Sequence, residues 1–467
     1  MKLLDFAIQT TNKYIDEMPK SQRKKYGQFF TSKETAVFMA GLFGVPENKT
    51  RLQILDAGAG SGVLSIALIE RLQEIPKLQY VHLVCYENDS KIIELLRKNL
   101  QWVRQHTTLS FDYEIREDNY ILSQMLEYNE MICADPNPLK YDMVIGNPPY
   151  MKIAKDAPEA RAMPDVCYGA PNLYFLFAEM GMFNLIPNGE LVYIIPRSWT
   201  SGAYFKKFRQ KFLNGGILEH IHLFVSRNKV FENESVLQET IIIKMKKSTE
   251  TPESVTITTT QSNRDFSNKT IFEVPYTTVV SGEDTYVYLV TNEQEVETLR
   301  LLNRWTNTLP SIGLKYIVTE QLGLLQPNVN YLFVKRFTAK EEHRRLQCGV
   351  YLARKYPNYS KISTQNKINF ICGLKELSEC VVYGLYVLFN STLYDSYYRI
   401  LNGSTQVNST EINSMPVPPL ESIELLGKEL IKLRDMTEMG CDKILRGLIY
   451  EQSRGSERNT ERIASAS

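Results

Sequence analysis

No stretch of the 467 residues approaches the ~20 consecutive apolar positions that cross a bilayer, so membrane insertion as a helix is set aside. Cysteine is sparse and unpaired in spacing. Seven residues (Cys85, Cys133, Cys167, Cys348, Cys372, Cys380 and Cys441), odd in number and without a CxxC pair, give neither a disulfide framework nor a zinc site. That usage predicts a reducing compartment, the cytoplasm, and no metal. Histidine is scarce too, and no His-centred acid–base dyad stands out among only five. The net charge of +1 means that affinity for a polyanion has to come from local clusters and not from the field of the whole chain.

What is present is the composition of an ordinary globular protein, at a length that calls for two or three cores. The opening "MKLLDFAIQTTNKYIDEMPK" interrupts its apolar positions with charge at helical spacing, so it predicts an amphipathic helix and not a secretory signal. From about residue 50 to 247 seven apolar runs alternate with helical patterns, from "RLQILDAG" to "ETIIIKMKK". Near-continuous apolar strands separated by helices predict a doubly wound α/β domain with a mostly parallel seven-stranded sheet covered on both faces. "KKSTETPESVTITTTQSNRD" then breaks the composition and reads as a surface hairpin or linker. The expected division is a catalytic domain over 1–250, a linker or hairpin over 251–289, a mixed α/β domain over 290–420, and an amphipathic helix or helix pair with a disordered tail over 421–467.

"QILDAGAGSGVLSIALIERL" places Asp56 and the alternate glycines Gly58, Gly60 and Gly62 between a strand and a helix. Such a turn lets a ligand approach the backbone at a helix N-terminus, where unpaired N–H groups favour a carboxylate or phosphate. The spacing is GxGxG and not the GxGxxG of pyrophosphate binders, and a purely structural turn is the competing reading. The next strand, "VHLVCYENDS", ends in Glu87, placed to accept from both hydroxyls of a ribose, although a solvated strand-end carboxylate is the plainer alternative. After the third strand, Asp118 in "EDNY" can accept from the exocyclic amine of an adenine ring. One nucleoside with a carboxylate nearby fits S-adenosylmethionine better than NAD.

The fourth strand runs into Asn147-Pro148-Pro149-Tyr150. The prolines stop any ladder or helix and fix the carbonyl of Pro148. An exocyclic amine on a base is a poor nucleophile, because its lone pair is delocalised into the ring. The side-chain oxygen of Asn147 and the carbonyl of Pro148 can accept its two N–H bonds and expose that lone pair, while Tyr150 stacks on the ring. A turn with a buried tyrosine is the bland alternative. A base inside a duplex must be rotated out to reach such a site, and Phe231 in "SRNKVFENES" is a candidate second stacking partner, with a core phenylalanine as its alternative.

These stretches together resemble the gamma-class N6-adenine-specific DNA methyltransferases of prokaryotic type II restriction–modification systems. "KKYGQFFTSKETAVFMAGLF" is similar to the family's motif X, "DAGAGSG" to motif I, "YEND" to II, "REDNY" to III and "GNPPY" to IV, with "APNLYFLFAEMGMFNLIPNGELVYIIPRSW" similar to V to VII and "NKVFENES" to VIII. The matches run over about 22–246 in the family's order. The resemblance implies a Rossmann-like S-adenosylmethionine-dependent catalytic domain and a C-terminal target-recognition domain. It implies that Thr31, Asp56, Gly58, Gly60, Glu87, Asp118 and Asn147 serve the cofactor, that Asn147, Pro148 and Tyr150 bind the target adenine with Phe231 on its other face, and that Asn172 shapes the pocket. Ser32 stands where many relatives have proline and is placed to cap the following helix. Residues 152–171 form a long polar connection, read as a loop that orders on DNA.

The segment from 331 to 361 interleaves aromatics with cations, among them Lys335, Arg336, Arg344, Arg345 and Arg354, and "SGAYFKKFRQKF" adds Lys206, Lys207 and Arg209. Such clusters suit phosphate contacts on double-stranded DNA, although a solvated charged face is the usual reading. The family further implies a separate cognate restriction endonuclease, and a monomer with a dimer open. Pro164-Asp165 resembles the start of a nuclease motif, but no fitting ExK follows, so methylation without cleavage is expected. A glutamine methyltransferase acting on release factors, which shares NPPY, and an RNA base methyltransferase are the enzymatic alternatives. A non-catalytic DNA-binding subunit is the alternative from another class.

Overall fold

The computed structural model describes residues 1–17, 30–44, 48–130, 140–169, 171–224, 240–282, 284–318, 325–338, 342–401 and 406–449. The chain forms two units: residues 1–200 with 204–287, and residues 288–467 with 201–203.

Nine strands of the first unit make one sheet: β1 (Arg51–Ala57), β2 (Tyr80–Tyr86), β3 (Ser110–Arg116), β4 (Tyr141–Gly146), β5 (Leu185–Pro196), β6 (Ile217–Phe224), β7 (Thr240–Lys246), β8 (Ser254–Thr260) and β9 (Thr270–Pro275). Their order is β3-β2-β1-β4-β5-β7-β6-β8-β9. The first five are parallel, and β7 lies antiparallel between β5 and β6. The C-terminal ends of β1 to β4 therefore open on one edge, where ligands of such sheets bind. The apolar runs are long because the central strands are covered on both faces: Ile54, Leu55, Val84 and Val144 are fully buried.

Helix α1 (Leu3–Glu17) buries Leu3, Leu4, Ala7 and Thr11, one stripe at helical spacing. α2 (Lys33–Leu42) starts at Ser32, whose hydroxyl accepts from the Thr35 amide at 3.2 Å, the cap read from the sequence. α3 (Val63–Leu72) follows the glycine turn. α4 (Ser90–His106) is capped by Asp89 and buries Ile92, Leu96, Leu100 and Val103 against the sheet. α5 (Leu173–Asn184) is capped by Asn172, and α6 (Lys206–Gly215) follows β5.

Two expectations change here. The Ser/Thr-rich stretch read as a surface hairpin or linker is the hairpin β8–β9, and what changes is that it extends the main sheet beyond the expected seven strands, with β8 parallel to β6. Alternating threonines suit a pleated strand, and here Thr258 and Thr260 are buried. His220 and His222 on β6 bond the hydroxyls of Thr258 and Thr260 on β8 at 2.8 to 3.1 Å. Burial holds their pKa values down at about 4 and about 3, so both are neutral structural groups and not acid–base catalysts. The polar connection 152–171, read as a loop that orders on DNA, is already packed in its described part, with Ala160, Ala162, Met163 and Val166 buried.

In the second unit a four-stranded antiparallel sheet orders Leu314–Ile317, Ile368–Gly373, Tyr331–Lys335 and Cys348–Tyr351. α7 (Glu379–Phe389) packs along α8 (Leu420–Leu433), so the C-terminal amphipathic helix is spent inside its own unit. Residues 438–449 are helical as well. A Cβ at Gly384 would stand 1.8 Å from the Ile423 carbonyl oxygen, and one at Gly427 would stand 1.8 Å from that of Cys380. Glycine at both positions lets the two backbones touch. No described helix is long and apolar enough to cross a membrane.

Candidate active site

At the open edge of the first sheet lies a cavity of about 300 Å³, the lower end of the usual range for a ligand site. Gly58 and Gly60 after β1, Glu87 after β2, Asp118 after β3 and Asn147 after β4 all line it. Four successive strand ends thus contribute to one wall, as the order of motifs predicts.

The glycine turn is held from outside. The amides of Gly58 and Ala59 both donate to the carbonyl of Tyr86 at 2.9 Å, which fixes the turn against β2. Gly58, Gly60 and Gly62 have φ of +75°, +55° and +80°, conformations that an L side chain rarely adopts. A Cβ at Gly60 would meet no atom within 4 Å, so the space above this backbone is open to a ligand. The Glu87 carboxylate accepts from the amides of Gly60 (2.9 Å), Asn88 (2.9 Å) and Asp89 (3.0 Å). Burial raises its pKa against the pull of those three donors. The open glycine backbone, the oriented carboxylate and the exposed Asp118 at the next strand end form a donor and acceptor set that fits an aminoacid-bearing nucleoside.

Asn147 donates through Nδ2 to Thr31 Oγ1 at 3.3 Å, which fixes the rotation of its amide. Thr31 and Pro148 do not line the cavity; Thr31 acts on it through Asn147. Tyr150 donates its hydroxyl to the Ile194 carbonyl at 2.9 Å and sets its ring edge-to-face with Tyr174, centroids 6.3 Å apart. The ring is pinned at its far end, and Tyr150 is largely buried and does not itself line the cavity. Asn172 accepts from the Tyr174 amide at 3.3 Å, a cap that carries Leu173 onto the cavity wall. Phe231 lies outside the described residues.

Asp56 departs from its expected role. It is buried, takes the hydroxyl of Ser65, does not line the cavity, and has its pKa pushed up to about 7 by burial. It ties the end of β1 to α3 and does not face a ligand.

The expected DNA-binding cations divide sharply. Arg209 is buried, donating to the Trp199 carbonyl at 2.9 Å and the Asp284 carbonyl at 3.1 Å. Arg345 is fully buried, bonded to Thr338 with its guanidinium over the Tyr398 ring. Arg344 is nearly enclosed and engages Glu438, the Phe389 carbonyl and the Ser391 carbonyl. None of these three is available to a phosphate, which corrects the sequence reading: a guanidinium is buried where enough acceptors converge on it. Lys206 pairs with Asp284 and Arg354 with Glu379, acids that the local sequence lacks, while Lys335 pairs with Glu342 of its own segment. Arg336 donates to the Asn366 carbonyl at 3.1 Å, and Lys207 is exposed.

Three residues on this edge have no role in the sequence reading. Asn99 of α4 is fully buried, donates to the Ser61 carbonyl at 2.9 Å and accepts from Thr10 of α1 at 2.6 Å, bracing the glycine turn. Asn119 and Glu159 line the cavity and bond each other at 2.8 Å. Asn119 lies within the stretch "REDNY" after the third strand, and its place beside Asp118 is the one signal that points to it. Among the described residues no group of three His, Cys, Asp or Glu side chains forms a metal site.

A family model described as "Eco57I restriction-modification methylase" matches residues 66–231. The chain is similar to Type II methyltransferase M.PstI of Providencia stuartii, 30% identical over 489 residues, with 92% of this chain and 93% of the relative covered. It is similar to Type II methyltransferase M.BsuBI of Bacillus subtilis at 30% identity, covering 91% and 94%. Among solved structures its fold resembles that of the Type IIL restriction-modification enzyme MmeI in complex with DNA, with a TM-score of 0.56 at 11% identity over 93% of this chain and 77% of that one.

Proposed function

The chain belongs to the type II methyltransferases of restriction–modification systems, and from that premise we propose that it methylates N6 of one adenine within a specific duplex DNA sequence. It is a site-specific DNA methyltransferase, and its cofactor is S-adenosylmethionine. The observation that carries the finer reading is the convergence of Gly60, Glu87, Asp118 and Asn147 from four successive strand ends on one cavity.

When bound, the cofactor supplies a methyl group on a positively charged sulfur. The backbone at Gly58 and Gly60 admits its aminoacid end, Glu87 accepts from ribose hydroxyls and Asp118 from the adenine amine. Thr31 holds the amide of Asn147, whose Oδ1 accepts one N–H of the target amine while the Pro148 carbonyl accepts the other. Both acceptors draw the nitrogen's lone pair out of the ring, so the reaction needs positioning and no strong base. Tyr150, anchored at Ile194, offers its ring face to the extruded base. Burial and pairing narrow the phosphate contacts in the second unit. Lys355, Lys361 and Lys367 are exposed and have no ion partner among the described residues, and Tyr356 and Tyr359 are exposed beside them. The Asn328 amide clamps this stretch by donating to the carbonyls of Tyr356 (2.8 Å) and Tyr359 (2.6 Å). A separate endonuclease recognising the same sequence completes the proposed system.

Relatives that span both units and are named type II methyltransferases weigh against the glutamine and RNA readings. Methylome sequencing of a host carrying the gene is expected to reveal one new N6-methyladenine motif. Soluble protein with no such motif would overturn the adenine reading. Asn147→Ala is expected to lower methyl transfer by ~10²-fold or more, with S-adenosylhomocysteine affinity changed by only a few fold. Retained turnover would remove the role assigned to that amide.

A further inference from the structure

Residues 151–173 leave the end of β4 after the Asn-Pro-Pro-Tyr loop and return to the start of α5. The two ends are zipped together: the Leu173 amide donates to the Met151 carbonyl at 2.9 Å and the Ile153 amide to that of Pro171 at 2.9 Å. Between them, side-chain bonds run to the segment after β3. Asn119 Nδ2 donates to Glu159 Oε1 at 2.8 Å, Asn129 Nδ2 to the Ala162 carbonyl at 2.8 Å and Tyr128 to Asp165 at 3.0 Å. Only the first of these stands at the cavity, where Asp118, Asn119 and Glu159 line one end.

Asn119 is tied at both ends of its amide. Its Oδ1 accepts from the amides of Ile121 (3.1 Å) and Leu122 (3.2 Å), capping the single helical turn Tyr120–Ser123. Its Nδ2 reaches Glu159, 40 residues further on. The amide cannot rotate without breaking one set of bonds, so the Glu159 carboxylate fixes the backbone that carries Asp118. Asp118 itself is exposed, and its direction depends on that backbone.

We propose that Glu159 is a positioning residue for the cofactor: by holding Asn119 it sets where Asp118 presents its carboxylate, and affinity for the adenosine half depends on it. The segment downstream of the catalytic loop is thereby a wall of the cofactor site. The proposal rests on the S-adenosylmethionine reading of the cavity and adds to it a residue that no motif contains. The Glu159 oxygen acts as an acceptor, so a glutamine, which keeps that oxygen, serves as well as the acid.

Calorimetric titration of the intact protein with S-adenosylhomocysteine and with adenosine tests this. Glu159→Ala is expected to weaken both ligands by ~10-fold, and Glu159→Gln by no more than two- to three-fold. Asn119→Asp keeps the cap oxygen but loses the N–H donor, and is expected to weaken binding at least as much as Glu159→Ala. In steady state the loss appears mainly in KM for S-adenosylmethionine, with kcat at saturation falling by a smaller factor. Unchanged affinity in Glu159→Ala, or equal losses in the Ala and Gln variants, overturns the positioning role while the cofactor reading stands. Failure of the wild-type protein to bind S-adenosylhomocysteine overturns both.

Discussion

Arg345 shows how little a residue's formal charge says about its task. It sits in a cationic run that reads as a DNA contact, yet it is fully buried, with Nε bonded to Thr338 at 3.1 Å and its guanidinium over Tyr398. Its own amide and that of Leu346 donate to Asp395 at 2.7 Å, so the backbone here is fastened as well. Truncation removes packed methylenes and leaves acceptors without their donor. Arg345→Ala is expected to cost roughly 1–3 kcal/mol, read as a lower melting temperature. The salt dependence of DNA binding should not move, because no phosphate contact is lost; a shallower salt slope would restore the phosphate role. The same logic separates Asp56 from Glu87. Both are acids at strand ends, but one is closed over by Ser65 and the other is presented to a cavity by three backbone amides.

Among the elements, α7 and α8 give the sharpest test. Two effects of opposite sign meet at Gly384. Alanine in a helix interior is favoured over glycine by about 1 kcal/mol, which taken alone predicts a stabler protein. Against that, the added carbon would stand 1.8 Å from the Ile423 carbonyl oxygen, a backbone atom that moves only if the helices separate. Overpacking typically costs ~1–3 kcal/mol, so the steric effect wins and Gly384→Ala is expected to melt at lower temperature by scanning calorimetry. A raised melting temperature would show that the helices do not touch at these glycines. The hairpin β8–β9 teaches a related lesson. Its Ser and Thr content looks like a linker, but threonine is at home on a pleated surface, and whether it joins a sheet depends on the edge that β6 offers.

Across the whole molecule, charge is distributed so that the net value of +1 hides a usable surface. Lys355, Lys361 and Lys367 remain exposed on a stretch clamped by Asn328, after pairing removes Lys335 and Arg354 from the free cations. Each phosphate neutralised contributes a slope of about −0.9 to the logarithm of affinity against that of salt. Replacing the three lysines by alanine is expected to lower DNA affinity and to flatten that slope by up to about three. An unchanged slope would show that the DNA lies elsewhere.

Much of the catalytic edge was readable because its chemistry is local. A GxGxG turn, an acid at the end of the second strand, another after the third and Asn-Pro-Pro-Tyr after the fourth each declare themselves within a few residues, and parallel strands carry them to one edge. By itself the sequence therefore determined a mostly parallel α/β sheet, the family and the chemistry gathered at four successive strand ends, since backbone conformation and side-chain type at a strand end need no distant partner. Only the tertiary structure decided which cations are exposed, that Asp56 turns inward, that Asn99 braces the glycine turn and that Glu159 meets Asn119. Each of those facts is a pairing between side chains far apart in the chain, and packing brings such pairs together without leaving any periodicity or motif behind.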